Sequence, residues 1–110
     1  MWLSNELREE VFDRIEKKFL TRTWKLELDT NLDGYGMLVP PENTIYINPL
    51  LNQSDDEYYT TLAYEILRWL YPKWDEDDIE DVGLQLSEDR DFRLLMDNEF
   101  GIYRELMNNG

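Results

Sequence analysis

The stretch SDDEYYTTLAYEILRWLYP, Ser54 to Pro72, constrains this chain most, because it carries a helix start, a helix stop and apolar residues around most of its circumference. Ser54 and Glu57 have the Ser-x-x-Glu spacing of a capping box, in which hydroxyl and carboxylate each satisfy a free amide of the first turn. Asp55 and Asp56 add negative charge at the positive end of the helix dipole. Pro72 ends the helix, since the residue before a proline is pushed out of helical geometry. Between these signals Tyr58, Leu62, Ile66, Trp69 and Leu70 mark one face, and Tyr59, Ala63 and Leu67 widen it. A helix apolar over that arc belongs in the middle of a domain.

The flanking sequence supplies the rest of one domain, residues 1-110. A chain of this length buries roughly two-thirds of its unfolded surface. From Ser4 to Leu20, Leu7, Val11, Ile15 and Phe19 recur at steps of four with Phe12 beside them, which predicts an amphipathic helix capped by Ser4. Trp24, Leu26 and Leu28 alternate with Lys25, Glu27 and Asp29, the period of a half-exposed strand over Thr23 to Asp29. Thr30 to Gly36 is turn chemistry around Asp33-Gly34, and its acids lack the spacing of a calcium loop. Gly36 to Val39 and Thr44 to Asn48 read as two more short strands around a turn at Pro40-Pro41-Glu42-Asn43. After the central helix, Asp75 caps a helix of about Glu76 to Leu86 with Ile79, Val82 and Leu86 buried, and Gly83 allows close packing. A last helical part covers about Asp91 to Met107, either continuous or broken at Asn98 and Gly101, and Asn108-Asn109-Gly110 is expected to fray. The expected fold is α+β: an N-terminal helix, a small three-stranded, mainly antiparallel sheet, the central helix and C-terminal helices.

Composition removes whole classes of chemistry. There is no histidine, which excludes a Ser-His-Asp arrangement, a histidine base and any histidine-bound zinc. There is no cysteine, hence no disulfide framework and no thiolate nucleophile or metal ligand. A net charge of -14 repels phosphates and anionic headgroups, so direct nucleic-acid binding is not expected, while a basic protein partner is allowed. No apolar run is long enough for a membrane span, and MWLSNELREE lacks the pattern of a secretory signal, so a cytoplasmic protein is expected. The seven Tyr and four Trp are read as core packing before a sticky partner surface, and Asp75 to Asp78 as helix capping before loose cation binding.

Within the central helix, Tyr64-Glu65-Ile66-Leu67-Arg68 resembles the His-Glu-x-x-His helix of zincin-type metallopeptidases, in which two histidines one turn apart hold zinc and the glutamate handles the water proton. The resemblance covers roughly residues 4 to 90. A short strand, Thr44-Ile45-Tyr46-Ile47-Asn48, a proline-containing loop and a capped helix precede the motif position, and Trp69-Leu70-Tyr71-Pro72 and an acidic-capped helix follow it. It implies a small, gluzincin-type domain of bacterial or phage kind, in which Glu65 is the one motif residue retained. Tyr64 stands where the first histidine would be and Arg68 where the second would be. Tyrosine is a poor zinc ligand at neutral pH and arginine is none. The third ligand of gluzincin-like relatives, a glutamate on the following helix, falls on Glu76, with Glu80 next.

The resemblance therefore implies a pseudo-metallopeptidase without catalytic residues, metal or cofactor, acting as a protein-binding or structural module. An acidic decoy of a nucleic-acid-binding protein is the alternative, and an active hydrolase with a carboxylate-bound metal is a third. Losing zinc would leave Glu65 and Glu76 facing each other without a counter-charge. Arg68, at i+3 from Glu65, is expected to fill the former metal position and pair with Glu65 and an acid of the next helix, with a hydrogen bond from the Tyr64 hydroxyl.

Overall fold

The computed structural model describes residues 1–109. The first helix, α1 (Asn5–Arg14), starts where Ser4 Oγ accepts the amide of Leu7 at 3.1 Å. It continues into a π turn, Ile15–Phe19, in which Leu20 N reaches back to Ile15 O at 2.8 Å. A strict step of four drifts about 40° per step around an α-helix. The wider i→i+5 turn takes up that drift. Val11, Ile15 and Phe19 thereby stay on one face and are fully buried.

Three strands follow: β1 (Lys25–Leu28), β2 (Gly36–Val39) and β3 (Thr44–Ile47). Their order in the sheet is β1-β3-β2, with β2 antiparallel and β1 parallel to β3. The sheet is mixed, where the sequence predicts a mainly antiparallel one. The tight link between β2 and β3, a 3₁₀ turn at Pro40–Glu42 closed by Asn43 at φ 50°, makes the expected hairpin. The loop between β1 and β2 is longer and leaves them one strand apart. β3 fills that slot, and it is the strand best suited to the centre, since Ile45 and Ile47 are fully buried.

The central helix, α2 (Asp55–Leu70), lies over the sheet. Ser54 Oγ accepts the Glu57 amide at 3.2 Å, as the expected cap requires, and the Glu57 carboxylate accepts from the Ser54 hydroxyl at 3.1 Å, in place of the Ser54 amide that a capping box would give it. Tyr58, Leu62, Ala63, Ile66 and Leu67 have no exposed surface. Truncating one of the aliphatic members to Ala would cost about 2–5 kcal/mol. Three more helices close the domain: α3 (Glu76–Ser87), α4 (Arg90–Phe100) and α5 (Tyr103–Asn109). Asp75 caps α3 by accepting the Asp78 amide at 2.9 Å. The break between α4 and α5 falls at Gly101, whose φ of 93° suits glycine, while Asn98 stays helical. Asn108 and Asn109, expected to fray, are helical, and Gly110 lies outside the described residues. Among the described residues no helix is long and apolar enough to cross a membrane.

Candidate functional site

A cleft of about 620 Å³ opens between the Gly34-Tyr35-Gly36 loop and one face of α2. Glu57, Thr60, Thr61, Tyr64, Glu65 and Arg68 line it at steps of three and four, the spacing of a single helical face. Gly36 lets strand and helix meet, because a Cβ there would lie 2.6 Å from Thr61 Cγ2 and 3.0 Å from Tyr46 O.

One end of the cleft, at Glu65 and Arg68, adjoins an ion cluster that ties three elements together. Glu65 Oε1 accepts the Leu38 amide of β2 at 3.1 Å, and Glu65 Oε2 pairs with Arg68 Nη1. Arg68 Nε donates to Glu76 Oε1 at 2.8 Å, and Nη2 to Glu76 Oε2 at 3.1 Å. The side chains of Glu65, Arg68 and Glu76 are 14%, 41% and 62% exposed, so the cluster grades from a nearly dry carboxylate to a wet one.

The titration of the two acids follows that gradient. Burial pushes the Glu65 carboxyl above the usual range, against the opposing pull of Arg68 and the Leu38 amide. Hydrogen bonding to Arg68 holds Glu76 below that range. The two acids share one cation yet move in opposite directions, because only Glu65 has lost most of its water.

Tyr64 behaves differently from the expectation. Among the described residues its hydroxyl bonds to no member of the cluster. Its ring lies against α3 instead, where a Cβ on Gly83 would come within 2.3 Å of Tyr64 Cδ1 and 2.5 Å of Cε1. The Arg68 guanidinium stands 5.9 Å from the centre of the same ring, at the outer limit of a cation–π contact. Burial, followed by the nearby Glu80 carboxylate, raises the Tyr64 hydroxyl above its ordinary value. Glu80 is exposed and forms no ion pair with the cluster among the described residues. The structure therefore brings Glu65, Arg68 and Glu76 together, adds the Tyr64 ring as a wall and leaves Glu80 outside.

Among the described residues, no group of three or more acids stands close enough to hold a metal ion. Glu65 of α2 and Glu76 of α3 have the Arg68 guanidinium between them. As arranged, the cluster is a bridge of two carboxylates on one guanidinium beside an open cleft, and both Glu65 oxygens are already engaged.

A buried amide network shapes the cleft's other wall, and no sequence signal marked it. Asn48 N donates to Tyr35 O at 2.9 Å, and Asn48 Nδ2 to Leu32 O at 3.0 Å. Asn52 Nδ2 donates to Tyr35 O and Asn48 O, both at 2.8 Å, and Asn52 Oδ1 accepts from Thr61 Oγ1 at 2.6 Å. Asn48, Asn52 and Thr61 are all buried, so these bonds have no competition from bulk water. They hold the Leu32–Tyr35 loop against α2 and so set the width of the cleft. No family model matches the chain, and neither a curated protein nor a solved structure matches it.

Proposed function

We propose that this chain is a catalytically inactive zincin-like protein, a pseudo-metallopeptidase whose cleft binds a protein partner instead of hydrolysing one. The proposal places it in a bacterial or phage-infected cytoplasm, without direct contact to nucleic acid. One observation carries the reading: Arg68, at the position of the second zinc-binding histidine, bridges Glu65 and Glu76. An arginine there supplies positive charge where the resemblance puts a metal, and it does so to the retained motif glutamate and to the candidate third ligand. An ordinary surface i,i+3 pair would have both partners well exposed, whereas Glu65 is not.

The test is reconstruction of the metal site. The Tyr64→His/Arg68→His variant places two imidazoles one turn apart on the side of α2 that meets α3, where Glu76 stands. Zinc titration by calorimetry should then show one site per chain, lost again when Glu76→Gln is added. The unaltered protein should purify without stoichiometric zinc and melt at the same temperature with and without EDTA. A chelator-sensitive melting temperature in the unaltered protein would overturn the reading. A folded double variant with no zinc affinity would do so as well.

A further inference from the structure

The sheet has two edges, and they differ. On β2, the outward amide of Leu38 is held by Glu65. On β1, Lys25 N donates inward to Asn43 O at 2.8 Å and Asp29 N to Ile47 O at 2.9 Å. Alternation along the strand therefore turns the amides and carbonyls of Leu26 and Leu28 outward. No hydrogen bond reaches those two amides among the described residues. Leu26 and Leu28 lean toward the helix layer, while Lys25 and Glu27 are exposed on the opposite face.

We infer that this edge pairs with the same edge of a second copy of the chain, antiparallel, about a two-fold axis at Leu26. Charges on an edge strand ordinarily repel a foreign strand. Here they select one self-complementary register. Hydrogen bonding requires outward residues to face outward residues, which leaves axes at Lys25, Leu26 or Glu27. An axis at Lys25 sets that lysine against its own copy, and an axis at Glu27 does the same to the glutamate. An axis at Leu26 places each Lys25 opposite Glu27 of the other copy, twice, and each Trp24 opposite Leu28 on the helix-covered face. The product is an isologous dimer with a continuous sheet, β2-β3-β1-β1-β3-β2, and all helices on one face. Strands of four residues make a small contact, so the association is weak and concentration-dependent. The net charge of each copy opposes it, over a range that physiological salt cuts to about 8 Å.

Sedimentation equilibrium from dilute to near-millimolar protein, at physiological ionic strength, tests the pairing. The expected result is reversible monomer–dimer exchange, with slowed amide exchange at Leu26 and Leu28 as concentration rises. Lys25→Glu turns both attractive pairs into repulsive ones and should weaken association about tenfold or more. Lys25→Glu/Glu27→Lys restores opposite charges in the same register and should restore the dimer. Both sites are exposed, so circular dichroism should show an unchanged fold. A monomeric mass at every concentration would overturn the inference. So would a dimer indifferent to Lys25→Glu, or a charge-swapped variant that stays as weak as the single one.

Discussion

Replacing Gly83 with alanine tests how closely α2 and α3 are packed at the site. The new Cβ would lie 2.3 and 2.5 Å from two carbons of the Tyr64 ring, where about 3.5–4.0 Å is the favourable separation. The ring must withdraw by more than an ångström, into the cleft or with α2 itself. Overpacking of this kind costs about 1–3 kcal/mol. Against it stands a gain of about 0.8–1.0 kcal/mol, because alanine is the better helix former. The net loss should be about 0–2 kcal/mol. In a Tyr64→Ala background the obstacle is gone, and Gly83→Ala should stabilise by up to about 1 kcal/mol. The sign reversal gives a coupling of about 2 kcal/mol, in the range of residues in direct contact. Urea unfolding followed by tryptophan fluorescence resolves it, since a 1.5 kcal/mol loss moves the midpoint by about 0.5–1.5 M at an unchanged slope. A change of equal size and sign in both backgrounds would refute the contact between Gly83 and the Tyr64 ring.

Arg68→Gln leaves Glu65 nearly dry without its cation and should cost about 1–3 kcal/mol at pH 8. The Glu65 carboxyl already titrates above its ordinary value, and losing Arg68 raises it further. A raised folded-state pKa means stability that is present below the unfolded value and lost as pH rises through the folded one. The deficit seen in urea midpoints should therefore shrink from pH 8 toward pH 4. Asp89→Asn keeps a capping group for α4 but removes the carboxylate that Arg8 grips at 2.6 and 3.1 Å. Arg8 holds the Asp89 carboxyl below the usual range, so its advantage of about 1 kcal/mol exists above the unfolded pKa and disappears as pH falls through the folded one, which paired acid melts of the two proteins will show. Tyr58→Phe deletes a buried hydroxyl with no partner and should be neutral or stabilising by about 1 kcal/mol in urea unfolding. Tyr59→Phe removes a 2.5 Å bond to Asp97 and should destabilise by a similar amount or more.

Local chemistry was legible in the sequence wherever a few neighbouring residues decide the outcome. Ser54 and Asp75 cap the helices they were expected to cap, and the Trp24-Leu26-Leu28 alternation is a strand with that face turned inward. Arg68 finds Glu65 because i+3 is a neighbour on any helix, and Glu76 because α3 turns back along α2. Strand direction was not legible: whether β1 lies beside β2 or beyond β3 depends on how the Asp29 to Tyr35 loop closes, and its turn residues fit both. The π turn was equally hidden, since a step-of-four stripe is compatible with a slowly drifting α-helix until the core demands Ile15 and Phe19 on one side. Asn48 reads as the end of the third strand and Asn52 as part of the connection after Pro49; only the folded chain shows that both are buried and that Asn52 is bound to Tyr35 and Thr61.

Tyr64 and Arg68, the two positions that the proposed zincin-like reading assigns to lost histidines, share one geometric property. Residues 64 and 68 are one turn apart on α2, about 6 Å along its axis. Both face α3, where Tyr64 meets Gly83 and Arg68 meets Glu76. Those α3 partners are two turns apart, about 10.5 Å, so the two helices diverge from matched spacing and one side chain must reach. Arginine has the length and the fork to span that gap while holding both carboxylates. Lysine in the same place could bind one acid well but not two in this geometry, and a short residue would leave Glu65 facing Glu76 through water. Tyr64 needs no reach, because Gly83 brings the α3 backbone to the ring. Steric fit at one position and charge at the other thus hold the same pair of helices, and the energetic demand at Arg68 comes from Glu65, which cannot move into solvent while it retains the Leu38 amide.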